Sequence, residues 1–290
     1  MRLVNLRPLL HFAIKSESMK ASVIFSTYNS PAWLEKVLWG FSVQTTKDFE
    51  IVIADDGSGQ ETKELIERLR PEMGVPVKHI WQEDDGFQKS RILNKAIVAA
   101  EADYLIFTDG DCIPRKDFVE VHLKRRKQGH FLSGGYFLLP METSIAIAKE
   151  DILTQRCFKV RWLKAHGLNG SIKTLKLSAK GLFRYLLNGL TRTKPTWNGH
   201  NSSGWKSNIL EANGFDERMQ YGGQDRELGE RLVNMGISGI QIRYSAIVVH
   251  LDHKRGYRTQ ESVLKNRAIR KNTRDSGKKR TEFGIVRENV

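Results

Sequence analysis

Four short runs rich in β-branched and aromatic residues, each separated from the next by a stretch of helical periodicity, constrain this chain more than any other feature. Residues 22–26 (SVIFS), 49–54, 77–81 and 104–108 (YLIFT) read as buried strands. The intervening residues 31–43, 61–70 and 88–100 carry helical spacing, the first opened by Ser30 as cap and Pro31 at the first turn. Parallel neighbours require a crossover, and a helix supplies it, so the pattern predicts βαβ units. The expected class is α/β, a doubly wound and mostly parallel sheet covered on both faces. In such sheets ligands sit beyond the carboxyl ends of the strands, near the point where strand order reverses.

That rule directs attention to three loop tips. The first strand ends in Thr27-Tyr28-Asn29, the second in Asp55-Asp56-Gly57-Ser58-Gly59 and the fourth in Asp109-Gly110-Asp111. Four aspartates delivered to one edge are costly unless cations or hydrogen-bond donors answer them. Asp109 and Asp111 flank a glycine, and hard oxygen ligands on a short turn suit Mg²⁺ or Mn²⁺ shared with a substrate diphosphate. A plain turn is the alternative for either Asp-Gly pair. No GxGxxG follows the first strand and no GxxxxGK[ST] occurs, which argues against dinucleotide and P-loop folds.

Composition narrows the class further. With 290 residues, 40% apolar and 28% charged, the chain is long enough for a large core and has no uninterrupted apolar run of membrane-spanning length. Cys112 and Cys157 are not in a CxxC pair, so neither a disulfide framework nor a cysteine zinc site is indicated. Residues 1–19 form an N-terminal extension whose apolar stretch, broken by His11 and Lys15, does not fit a secretory signal. The expected setting is cytoplasmic, with peripheral contact to the inner face of a membrane.

The net charge of +14 is unevenly placed. Residues 152–210 hold eleven Lys or Arg and no Asp or Glu, and residues 254–290 hold twelve basic and four acidic side chains. The remainder is net acidic. In the first stretch the charges are mixed with Phe158, Trp162, Leu175, Leu182, Phe183, Leu186 and Leu187, a composition suited to an anionic membrane surface or to an ordinary amphipathic helix with a solvated basic face. Residues 254–290, with few apolar partners, are expected to form a frayed helix or flexible basic tail.

The motifs SVIFSTYN, FEIVIADDGS, DDGFQKSRILNKAI and ADYLIFTDGDCIP, in that order, resemble the nucleotide-binding half of family 2 glycosyltransferases of the GT-A fold. Further on, WNGHNSSGWKSNILEANGFDERMQYGGQDRELGERLVNMGI and AIVVHLDH resemble the galactosyltransferase-type C-terminal region of chondroitin-polymerase-like and lipopolysaccharide-core-type enzymes. The resemblance covers residues 20–253, with residues 152–196 as a basic amphipathic insertion.

It implies a metal-dependent, inverting hexosyltransferase that moves sugar from a UDP-sugar to a glycan or glycolipid acceptor in bacterial surface polysaccharide or lipopolysaccharide synthesis. Thr27 and Tyr28 would meet the uracil-type base, Asp56 would bind it, and Arg91 or Lys95 would lie near the pyrophosphate. Asp109 and Asp111 would form the DxD motif, with Asp111 and His250 as ligands to Mn²⁺ or Mg²⁺ and His253 as a second imidazole. Asp225 would be the general base, beside Gly223 and Gln224 at the donor sugar; as a bare residue it equally suits a helix-capping role. Gln224 stands where relatives carry Glu, and Tyr136 and Leu93 where many carry Arg, departures that bear on specificity.

The competing readings are a nucleic-acid-binding protein, motivated by the basic stretches, and a nucleotidyltransferase, which also places metal-binding aspartates at an α/β sheet edge. No recognised nucleic-acid motif supports the first, so no nucleic-acid partner is expected. The second leaves the NGFDE and GGQDREL segments without a role. A processive synthase would need a Gln three residues before Arg161-Trp162, where Phe158 stands.

Overall fold

A computed structural model describes residues 19–169, 172–254 and 259–286; most of the N-terminal extension lies outside them. The first half follows the predicted alternation closely. Strands β1 (Ala21–Thr27), β2 (Phe49–Asp55), β3 (Val77–Trp81) and β4 (Tyr104–Asp109) are joined through helices α1 (Pro31–Ser42), α2 (Gln60–Leu69) and α3 (Lys89–Ala99). Ser30 occupies the cap position of α1 without a side-chain cap bond; Pro31 opens the helix.

Beyond β4 the elements shorten. They are β5 (Cys112–Pro114), α4 (Phe118–Arg125), β6 (His130–Ser133), β7 (Gly135–Leu138), α5 (Met141–Ala146), α6 (Lys149–Leu153), α7 (Val160–Ala165), α8 (Leu175–Ser178) and α9 (Gly181–Gly189). There follow β8 (Ser202–Trp205), α10 (Lys206–Glu211), α11 (Gln224–Asn234), β9 (Ser238–Gln241), β10 (Ile247–His250) and α12 (Gln260–Asp275).

The main sheet has the order β3-β2-β1-β4-β8-β6-β9. β1 pairs in parallel with β2 on one side and β4 on the other, so the order reverses between β1 and β4. That crevice, at the carboxyl ends of the two strands, is where a doubly wound sheet accepts a ligand. β8 is antiparallel to both β4 and β6. Strand residues alternate between two cores. Val23, Phe25, Ile51 and Ile53 pack with Leu34, Phe41 and Phe118 on one face; Ile24, Val52, Leu105 and Phe107 pack with Ile92, Trp197 and Leu228 on the other. Burial on both faces explains why these strands read as continuous apolar runs.

A second sheet, β5-β10-β7, lies beside this crevice. β10 runs antiparallel to β5, with His250 opposite Cys112, and the Leu251 N–H donates to the Asp111 carbonyl at 2.9 Å. A ladder between residues some 140 positions apart thus sets Asp111 beside the end of β10.

The two basic stretches resolve differently: the first meets one of its two expected forms in part, and the second departs from expectation. The basic stretch 152–196 is a succession of short helices whose first part is core: Ile152, Phe158, Leu163 and Leu177 join the cluster beneath β1. The C-terminal basic run is a docked helix rather than a frayed tail. Thr259 caps α12 by accepting from the Ser262 N–H, Asn266 donates to the Gln220 and Gly222 carbonyls, and Arg270 pairs with Glu230 of α11. This interface is built from polar bonds, so hydropathy gave no sign of it.

Candidate active site

The loop tips at the β1/β4 reversal open into a cleft of about 670 Å³, lined among others by Thr27, Tyr28, Asp56, Asp109, Asp111, Gln224 and His250. These residues, with Tyr136 and His253, are singled out by sequence and share one cavity. Its floor depends on Gly110, where a Cβ would lie 2.7 Å from the Ser26 carbonyl oxygen, a contact no larger residue tolerates without moving β1. The Gly110 N–H donates to that same carbonyl at 2.9 Å.

At the end nearest β2, Tyr28 presents a half-exposed ring and donates its hydroxyl to Asp84 at 2.8 Å. Asp56 is buried and accepts from Gln82 Nε2 at 2.6 Å and from the Gln88 N–H at 2.9 Å. Burial pushes its carboxyl up to about 6, against the opposing effect of those two donors. A flat aromatic beside a buried carboxylate is an arrangement able to stack a planar base and accept its N–H. Asp55, by contrast, is turned to structure: it accepts from the Ser58 N–H and meets His79 Nε2 at 2.8 Å.

In the middle of the cleft, Lys89 at the start of α3 donates to Asp109 Oδ1 at 2.6 Å. Burial opposes its charge, but Asp109, Asp111 and Asp225 together hold the ammonium above its ordinary range. Sequence reading placed this cation at Arg91 or Lys95, and neither lines the cleft. Arg91 pairs with Asp85 at 3.3 Å and Lys95 is exposed on α3. With 100° between successive helical positions, only the face bearing Lys89 meets the DxD turn. The signal was present in its position at the first turn of a helix entering the switch point.

Asp111, His250 and His253 converge so that one ligand atom from each lies within 4.8 Å of the others. His253 Nε2 is 3.0 Å and His250 Nε2 3.7 Å from the Asp111 carboxylate. The Nδ1 atoms are engaged elsewhere, that of His250 with the Leu251 carbonyl at 2.8 Å and that of His253 with the Lys254 carbonyl at 3.0 Å. A ring that donates from Nδ1 to a carbonyl leaves its Nε2 lone pair facing the carboxylate, which is repulsive unless a proton or cation lies between. The donor set of one carboxylate and two imidazoles so oriented therefore fits a divalent ion such as Mn²⁺. Burial alone would raise the Asp111 carboxyl, but His253, His250 and Lys89 hold it down at about 2.

Asp225 stands in the first turn of α11, at the edge of the cleft rather than on its lining. Its Oδ2 accepts from the Gly199 N–H at 2.9 Å, and a Cβ on Gly199 would lie 3.8 Å from Asp109 Oδ1 and 3.9 Å from Asp225 Cβ. One backbone turn thus separates Asp225 from the DxD carboxylate. Gly223 serves the turn into α11: its φ of +87° is the left-handed region, and it does not line the cleft. Gln224 is buried and accepts from the Gly222 N–H at 3.1 Å.

Sequence reading passed over His200, also on the lining. Its ring packs against Tyr136 with centroids 4.3 Å apart, and burial pushes it down to about 4 despite the nearby Asp109 and Asp225. It is therefore neutral near pH 7. Only its place in the WNGHN segment hinted at it, since a lone histidine reads equally well as a packed side chain.

Residues 22–164 match the family described as Glycosyl transferase family 2. A relative over most of the chain is the uncharacterized glycosyltransferase YfnE of Bacillus subtilis, 27% identical over 273 residues, 86% of this chain and 69% of its own length. The fold is similar to that of Staphylococcus aureus TarS 1–349 in complex with UDP-GlcNAc, with a TM-score of 0.55, 16% identity, 82% of this chain and 60% of that one. It is also similar to the mannosyltransferase PcManGT from Pyrobaculum calidifontis in complex with GDP-Man and Mn²⁺, with a TM-score of 0.53, 18% identity, 82% of this chain and 58% of that one. The chain spans less than two thirds of either solved structure. These neighbours are GT-A glycosyltransferases, and the fold is that of GT-A enzymes. Residues 22–164 therefore form a glycosyl transferase family 2 domain, and the relative that spans most of the chain is itself named a glycosyltransferase.

Proposed function

We propose that this family 2 glycosyltransferase moves a sugar from a UDP-sugar to a hydroxyl of a glycan or glycolipid acceptor, with inversion at the anomeric carbon and with a divalent ion bound, in the making of a bacterial surface polysaccharide or lipopolysaccharide. The observation that carries the reading is the convergence on one cleft of a base-sized platform (Tyr28, Asp56), an acid–lysine pair (Asp109, Lys89) and a carboxylate–imidazole cluster (Asp111, His250, His253). UDP is favoured as the nucleotide because TarS was solved with UDP-GlcNAc, and Mn²⁺ because PcManGT was solved with it.

Asp111, His250 and His253 would hold the ion, which when bound supplies positive charge to a diphosphate leaving group. Tyr28 stacks the base while Asp56 accepts its imide N–H. Lys89 neutralises Asp109 and presents a cation to the diphosphate. Asp225, with Oδ2 fixed by the Gly199 N–H, takes the proton of the acceptor hydroxyl. The hydroxyl oxygen then bonds to the anomeric carbon as the bond from that carbon to the diphosphate oxygen breaks, releasing UDP. Gln224, an amide where an acid is usual, contacts a sugar hydroxyl and contributes to the choice of donor.

The test is a panel of UDP-sugars and GDP-mannose incubated with the purified chain, scored by release of nucleoside diphosphate with Mn²⁺, with EDTA, and with Mn²⁺ restored. Release confined to UDP-sugars and abolished reversibly by EDTA is expected. Pyrophosphate as product, or undiminished release in chelator, would overturn the reading.

A further inference from the structure

Helix α9 is inside out for a surface helix. In the ordinary arrangement an amphipathic helix turns its apolar stripe to the core and its polar face to water. Here the one buried residue of α9 is Asn188, which donates to Ser245 Oγ at 2.8 Å and accepts from the Tyr244 N–H at 2.9 Å. Leu182, Phe183, Leu186 and Leu190 are 86%, 50%, 57% and 67% exposed. At 3.6 residues per turn these four fall within an arc of about 100°, and Asn188 lies on the opposite side. The helix is held by its polar side, Arg184 to Asp117 at 3.3 Å and Arg125 over the Tyr185 ring at 4.5 Å, and offers its apolar side outward.

The charge around this stripe selects what can cover it. Lys173, Lys180, Arg192 and Lys194 flank it in sequence, and no acidic residue occurs from 152 to 210. A second copy of the chain would bring two such cationic segments together, which is repulsive. A nucleic acid would answer the charge but not the leucines. An anionic bilayer answers both, with Leu and Phe below the headgroups and Lys and Arg at their level. We propose that α9 docks the protein on the surface of an anionic lipid bilayer, lying in the interface with Leu182, Phe183, Leu186 and Leu190 inserted.

Earlier in the same basic stretch, α8 borders the cleft. Lys176 donates to the Tyr136 carbonyl at 3.3 Å and sits over its ring, and Tyr136 lines the cleft against His200 and His250. Lipid docking does not require the transfer reaction to be as proposed, so vesicle binding and nucleotide release are independent readouts.

The test is cosedimentation of the full chain with vesicles of phosphatidylcholine alone and of phosphatidylcholine mixed with phosphatidylglycerol. Binding to the mixed vesicles, weakened by salt and far lower on pure phosphatidylcholine, is the expected result. The exposed-face variant Leu182→Asp/Leu186→Asp should lose about tenfold or more of that binding while melting temperature and nucleotide release in solution stay unchanged. Equal binding by this variant, or no binding of the wild-type chain to the mixed vesicles, overturns the proposal. So does a wild-type dimer that the variant dissociates without any vesicle binding, which would assign the stripe to a second copy.

Discussion

Asp225→Asn isolates the role given to the residue at the head of α11. The amide oxygen can still accept the Gly199 N–H, the side-chain volume is conserved, and the left-handed turn at Gly223 is untouched. What changes is the charge and the ability to hold a proton. Loss of an anion from a helix first turn costs about 0.3–1 kcal/mol, which lowers the melting temperature by a few degrees at most. A positioned general base contributes about 10²–10⁴ in rate, or roughly 2.7–5.4 kcal/mol at 1.36 kcal/mol per tenfold. The catalytic effect should therefore exceed the structural one several-fold, and a domain with a stability of about 5–15 kcal/mol stays folded in the assay. The measurement is kcat for UDP release at saturating donor and Mn²⁺, with donor Kd from a separate titration and melting temperature as the control. A fall in kcat of two or more decades at unchanged Kd is expected. A kcat near that of the wild type would refute the assignment, and a matching loss of donor affinity would make Asp225 a binding residue.

Replacing both His250 and His253 by Ala should weaken Mn²⁺ binding by more than the roughly 10–100-fold typical of an outer-shell change, read by electron paramagnetic resonance of free Mn²⁺ without any turnover. The Asp56 carboxyl, raised by burial to about 6, is charged only above that pH, so UDP affinity should decline as pH falls through about 6. Asp56→Asn should flatten this profile in a calorimetric titration. The stability effect of the same group has the opposite sign: its folded value lies above the ordinary 3.8, so its contribution is present below pH 3.8 and is lost as pH rises through about 6. Arg231→Met strands the fully buried Glu227, which now receives Arg231 Nε and Nη2 and the Thr273 hydroxyl. A loss of about 3–5 kcal/mol in urea unfolding is expected, largely recovered in Arg231→Met/Glu227→Leu.

The first half of the fold was legible because its strands are buried on both faces. SVIFS, YLIFT and their partners leave few other structures open to the backbone, and the helices between them match prediction to within about two residues at their ends. The site inherited that clarity: Thr27, Tyr28, Asp56, Asp109 and Asp111 are strand-end residues, and topology alone gathers them. What sequence did not give was rotation and polar docking. Lys89 and Arg91 are two positions apart, yet half a helical turn separates a side chain on Asp109 from one on the far rim. β5, β7 and β10 have three or four residues each, too few to carry a period, and β8 is SSGW, polar enough to pass for a loop. The attachment of α12 rests on Asn266, Thr273 and Arg270, residues that any hydropathy pattern assigns to solvent.

The short ladder between β5 and β10 also has a bearing on biosynthesis. A ribosome adding about 5–20 residues per second releases Asp111 long before His250 and His253, by an interval of roughly 7–28 s. During that time the nucleotide end of the crevice can assemble from the first hundred residues, whereas the carboxylate–imidazole cluster has only one of its three members. Binding of an ion by all three side chains would therefore wait until residue 253 has left the ribosome, and uptake of Mn²⁺ would time the emergence of that segment of the nascent chain.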